Sequence, residues 1–249
     1  YSHRASAPFA ILDTALKDVE LLCTGKGEKA WTRLPLLQIN WGPNNVPTAG
    51  LKSKGQIGTS SHYTRERGLP VIYLKGAANW NTDEFDDHIV AHEVGHHIEN
   101  MLFRSDSIGG KHSSYEMADP RLAFGEGYAN ALSVMALRDP IYVNTSGENQ
   151  KGGFELNLTQ VPNGEDKGVM SERSVAWLLA KLWELRDAKP LSGTFERIGA
   201  VLELDHEPTD TFTTLLRFGT AYRARFKDES GVIEALFEKE LDSPLPKDR

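Results

Sequence analysis

The run His92-Glu93-Val94-Gly95-His96 limits what this chain can fold into more than any other stretch of it. Side chains four residues apart stand one above the other on a helix, so His92 and His96 share a face on which two imidazoles can grip one metal ion. Glu93 is offset enough to reach a water on that metal without itself being a ligand. The pattern is the H-E-x-x-H of zinc-dependent hydrolysis, and it requires a helix that lies in the interior and faces a further donor. The flanking residues predict such a helix. Asn81 stands as its cap, with Glu84 three residues on as the capping-box partner. Phe85, Ile89, His92, His96 and Phe103 fall near one face, and Val90, Val94, Ile98 and Met101 near another, so the helix is expected to run through the core. The plain alternative is a pair of hydrogen-bonded core histidines. It would leave Glu93 a buried carboxylate without counter-charge, which is expensive unless a cation is present.

A catalytic zinc site uses three protein ligands and keeps one position open. The candidate for the third is Glu126, in Asp119-Pro120-Arg121-Leu122-Ala123-Phe124-Gly125-Glu126-Gly127-Tyr128-Ala129-Asn130. Asp119 as cap and Pro120 at the first position announce a helix, which the sequence stops at Asp139-Pro140. Glu126 is a carboxylate inside an otherwise small and apolar helix. Gly125, Gly127, Ala129 and Ala131 leave room for a close approach to another backbone, expected to be that of the His92 helix.

These residues resemble the gluzincins, the thermolysin-like zinc metallopeptidases in which H-E-x-x-H on one helix is completed by a glutamate on the next. The separation from His96 to Glu126 is 126 − 96 = 30 residues. The stretches Asp83-Glu84-Phe85-Asp86-Asp87-His88 and Arg104-Ser105-Asp106-Ser107-Ile108-Gly109-Gly110 look like those of bacterial gluzincin-like proteins. The resemblance covers about residues 80 to 135. It implies one Zn2+ per chain held by His92, His96 and Glu126, and Glu93 as the base that activates the zinc-bound water for hydrolysis of peptide bonds. The partner it implies is a peptide or protein substrate, with endopeptidase action favoured. It also favours a secreted, periplasmic or cell-surface location. Where thermolysin-like members carry an aspartate one turn after the ligand glutamate, this chain has Asn130, an acceptor without charge. The family also places a histidine or tyrosine to donate to the oxyanion. His206, Tyr222 and Tyr142 are the candidates, and His112, between the two metal helices, is read as a solvated loop residue that could touch substrate. His88 and His97 are read as supporting and structural.

Two readings from other classes stay open. One is a binding module that keeps zinc for structure. The other is a di-iron carboxylate protein, since Glu93-x-x-His96 and Glu203-Leu204-Asp205-His206 both read E-x-x-H.

The expected architecture is α+β. Residues 1–105 form a first lobe with a small mixed sheet and the H-E-x-x-H helix, residues 106–249 a mainly helical lobe carrying Glu126, and the active-site cleft lies between them. A first helix over about 8 to 23 should bury Phe9, Leu12, Leu16, Val19 and Cys23. Strand-like runs follow at 36–41, 55–63 and 70–74, the last expected to be the edge strand that pairs with extended substrate. A long connection, 139–169, contains one alternating run at 154–158. Helical patterns then cover Val175 to Leu185, Phe195 to Leu204, Phe212 to Phe226 and Val232 to Leu241. The net charge of −7 over 249 residues argues against a nucleic-acid surface. No apolar run is long enough to span a membrane. The start at Tyr1, without a signal peptide, is read as an excised domain or a processed part of a longer chain.

Overall fold

The computed structural model describes residues 4–27, 29–164, 167–184 and 195–247. Its elements follow the order α1 (Ala7–Lys26), β1 (Gln38–Trp41), β2 (His62–Glu66), β3 (Leu69–Leu74), α2 (Asp87–Leu102), α3 (Pro120–Leu137), β4 (Ile141–Ser146), β5 (Gly152–Asn157), α4 (Glu172–Glu184), α5 (Glu196–Val201), α6 (Leu215–Arg225) and α7 (Ser230–Ala235). The fold is α+β: helices dominate, beside a mixed three-stranded sheet and a two-stranded hairpin. Leu185 of the fourth helical pattern lies outside the described residues.

Helices α2 and α3 were legible, and the packing explains them. On α2, His88 through Gly95 and His97 through Glu99 are buried, so the helix runs through the core as its two apolar faces require. It starts later than expected. Asp83–Phe85 forms a separate 3-10 turn, and Asp86 precedes the first helical residue. Asn81 does not cap: its Nδ2 donates to the Thr145 carbonyl at 2.5 Å, and Glu84 pairs with Arg4. Helix α3 begins as read, with the Asp119 carboxylate accepting from the Arg121 N–H at 2.9 Å and Pro120 at the first position. Small residues do bring the helices together, but the pairing differs from the expected one. At Gly95 of α2, an added Cβ would lie 3.3 Å from the Ala129 Cα of α3. Gly127 instead faces α4, where a Cβ would come within 2.4 Å of the Val175 Cβ and 2.6 Å of the Glu172 carbonyl oxygen. Thus α3 is clasped between α2 and α4.

The sheet order is β1-β3-β2, with β1 parallel to β3 (Ile39 opposite Ile72) and β2 antiparallel to it (Tyr63 opposite Ile72). β3 is therefore central and buried, as its unbroken Pro70-Val71-Ile72-Tyr73-Leu74 run demands. The edge strand expected there is instead β2, which begins at His62 rather than at Gly55. In the 139–169 connection, Ile141–Ser146 pairs with Gly152–Asn157 as a hairpin, of which sequence reading found only the second strand.

Helix α1 is turned relative to expectation. Phe9, Leu12 and Leu16 are exposed, Val19 and Cys23 half-buried, and the inward face is Ile11, Thr14, Asp18, Leu21 and Leu22. Thr14 faces α2, its hydroxyl donating to Asp87 at 3.0 Å, so polar pairing fixed the face that hydrophobicity left open.

The later helices end in π-turns at Leu202–His206 and Leu236–Glu240. The first of these buries His206 completely between Phe124 and Phe218, and neither ring nitrogen has a hydrogen-bond partner. Burial pushes its pKa down from 6.5 to about 4. The folded state thus holds His206 neutral where the unfolded chain binds a proton. This contribution is whole above about pH 6.5 and is lost as pH falls toward 4, to the extent of about 3 kcal/mol. His206→Leu should remove that part of the acid loss, so that denaturant melts at pH 7 and pH 4.5 differ less for the variant than for the parent.

Candidate metal centre

Two helices converge on one point. Helix α2 presents His92 and His96 one turn apart, and α3, held close by Gly95 against Ala129, presents Glu126. The Nε2 atoms of His92 and His96 are 3.0 Å apart, and Glu126 Oε2 lies 3.3 Å from the first and 3.4 Å from the second. Ligands bound at about 2.0–2.1 Å around a tetrahedral ion stand about 3.3–3.4 Å from one another; both histidine–Glu126 separations have that spacing, and the two imidazole nitrogens, at 3.0 Å, stand a little closer. Among the described residues this is the one group of three histidine, cysteine or acidic side chains gathered closely enough to hold a metal.

The supporting contacts suit the same role. His92 Nδ1–H donates to Asn130 Oδ1 at 2.8 Å, which fixes the tautomer and leaves the Nε2 lone pair facing the cluster. The electrostatics show a site that calls for positive charge. Burial works against charging His96, but Glu126 beside it, with Glu93 and Glu99, pushes its pKa up to about 9. Burial likewise disfavours a charged Glu126, yet His96 and His92 outweigh it and hold the carboxyl well below its usual range.

Glu93 is 6% exposed and does not join the three donors; its Oε2 accepts the Tyr63 N–H of edge strand β2 at 2.6 Å. It stands beside the cluster with its carboxylate oriented by backbone. His112 is not the solvated loop residue expected from sequence. Its Nε2 lies 3.6 Å from Glu126 Oε2, and its Nδ1–H donates to Glu172 Oε1 at 2.6 Å. Glu172 opens α4, is buried, and also accepts from the Ser114 hydroxyl at 3.0 Å. That hydrogen bond, against the cost of burial, raises the His112 pKa above its ordinary value. A carboxylate at the first turn of an amphipathic helix, buried among apolar neighbours, was the available signal for Glu172.

The three sequence candidates for an oxyanion donor separate cleanly. Tyr142, on β4, is buried with its ring 6.2 Å from that of His92 and 5.4 Å from that of His88. His206 is sealed in the core, and Tyr222 donates to Glu229, so neither reaches the cluster. The second E-x-x-H does not contribute either, because Glu203 pairs with Arg33 at 2.7 Å. His97 points away from the cluster, as read.

An α+β chain with a His-His-Glu donor set on paired helices is the class that fold and site define. Residues 52–231 match the family model described as the mycolysin C-terminal domain, and the chain belongs to that family. This membership relates it to thermolysin-like peptidases, a context that implies zinc. No curated protein matches the chain. No helix among the described residues is long and apolar enough to cross a membrane.

Asn130 gives a direct test of how the donor set is tuned. Asn130→Ala should weaken zinc binding by about 10–100-fold in a chelator competition, and Asn130→Asp should strengthen it by adding charge behind His92.

Proposed function

We propose that this chain is a zinc-dependent peptidase that hydrolyses peptide bonds within protein or peptide substrates. The observation that carries the reading is the close spacing of His92, His96 and Glu126, with Glu93 beside them and outside the donor set. His92, His96 and Glu126 would hold one zinc, which supplies a Lewis acid that polarises the scissile carbonyl and acidifies water. Glu93, oriented by the Tyr63 N–H, takes the proton of the attacking water and delivers it to the leaving nitrogen. His112, held from behind by Glu172 at Nδ1, turns Nε2 toward the cluster and in its protonated form donates from there to the oxygen on which negative charge develops. Tyr142 walls the same side and keeps bulk water from His92.

The free edge of β2 is the template along which an extended substrate backbone pairs. The same reading divides the chain into lobes at 1–105 and 106–249 with the substrate between them, and puts the enzyme outside the cytoplasm, where thermolysin-like peptidases commonly work.

Incubation of zinc-loaded protein with a mixture of unfolded proteins, followed by mass-spectrometric mapping of new termini, tests the reading. Wild type should cut within chains. Glu93→Gln should keep its zinc and lose about 10²–10⁴-fold in turnover; near-normal activity in that variant would remove Glu93 as the base. His112→Ala should also keep zinc and lose about 100-fold or more in kcat. An undiminished kcat there would leave Tyr142 to supply the oxyanion donor.

A further inference from the structure

Strand β2, which orients Glu93 through the Tyr63 N–H, is fastened at its start by a single hydroxyl. Gly58, Thr59 and Ser60 are exposed, and the chain goes under cover only at Ser61, the residue before β2. The Ser61 hydroxyl donates to Asp83 Oδ2, on the 3-10 turn that leads into α2. The same oxygen accepts the N–H of Lys75, one residue past the end of β3, at 2.8 Å. It thus ties together the start of β2, the end of β3 and the entry of the helix that carries Glu93. Tyr63 lies two residues on, with little chain between to take up slack, and its N–H meets Glu93 Oε2 at 2.6 Å.

Asp83 holds its end of this link at a cost. It is 1% exposed, its nearest counter-charge, the Lys75 ammonium, stands 3.6 Å from Oδ2, and Oδ1 has no hydrogen-bond partner among the described residues. Burial pushes the carboxyl up to about 7, with Asp86 and Glu93 adding to the rise and Lys75 and Ser61 opposing it. A carboxylate needed only to shape a turn would sit at the surface without that penalty. What this position supplies is a charged acceptor for Ser61, and hydrogen bonds to charged acceptors are the strong ones.

We propose that Ser61 and Asp83 are positioning residues of the reaction proposed above: Asp83 holds the Ser61 hydroxyl, and Ser61 fixes β2 so that the Tyr63 N–H meets the Glu93 carboxylate. Their effect on turnover rests on the peptidase reading. Their effect on the Tyr63 amide does not, and it is measured separately.

In zinc-loaded, 15N-labelled protein, the Tyr63 amide proton should resonate far downfield and exchange slowly, as befits a short bond to a carboxylate. Ser61→Ala should move it upfield and speed its exchange by about tenfold, while the core amides of Ile98 and Leu132 keep their rates. Ser61→Thr, which retains the hydroxyl, should recover the wild-type amide. Asp83→Leu combined with Lys75→Met replaces the buried pair by apolar chains, a change that spares folding, and should act on Tyr63 as Ser61→Ala does. Adding Ser61→Ala to that pair should bring no further change, because all three substitutions break one link. On a peptide that wild type cuts, Ser61→Ala should lose about tenfold in kcat, with less change in KM and none in zinc affinity. An unmoved Tyr63 amide in Ser61→Ala would overturn the link, and a full kcat beside a displaced amide would overturn the positioning role. Wild type that cuts nothing would instead remove the peptidase reading, and the Tyr63 amide would then decide the link by itself.

Discussion

The absence of a side chain at Gly95 sets the distance on which the rest of the site depends. Imidazoles on one helix and a carboxylate on another can meet at 3.3–3.4 Å only if the two backbones pass closely, and an added Cβ at Gly95 would already lie 3.3 Å from the Ala129 Cα. Helix α3 is pressed from the other side by α4, where Gly127 admits Val175 and the Glu172 carbonyl. The same clasp that brings Glu126 to the histidines also brings Glu172, the first residue of α4, behind His112. Close packing therefore supplies two charged arrangements at once, one for the His-His-Glu cluster and one for the histidine beside it.

What could be read from the sequence was whatever local chemistry announces. Four-residue spacing put His92 and His96 on one face, and Asp119-Pro120 fixed where α3 starts. A lone glutamate among glycines and alanines marked the third donor. These signals need no knowledge of the remainder of the chain, and the structure brings those residues together. What could not be read depends on which face meets which. Helix α1 has apolar residues on two sides, and its choice was made by Thr14 pairing with Asp87, a residue more than seventy positions away. β3 reads as a buried run in either case, and its central place comes from strands that arrive from both sides.

His112 is the instructive miss. A histidine in a Gly-Gly-Lys-His-Ser-Ser segment carries every mark of a solvated loop. Its role depends on Glu172, sixty residues on, and on the clasp that carries Glu172 inward. His206, a candidate oxyanion donor by sequence because it lies in a polar break between helices, does not reach the cluster. Instead the chain widens into a π-turn and presses the imidazole between two phenylalanines. In both cases the local sequence is uninformative because burial is decided by the partner.

The β4–β5 hairpin is tied to the beginning of α2 by more than its packing. The N–H and hydroxyl of Thr145 both donate to Asp86, Asn81 donates to the Thr145 carbonyl, and the Gly147 N–H reaches the Trp80 carbonyl at 2.7 Å. Tyr142 on that hairpin is the wall against His92. The wall and the histidine-bearing helix are thereby bolted at a common corner, so the hairpin cannot swing aside without loosening the first turn of α2.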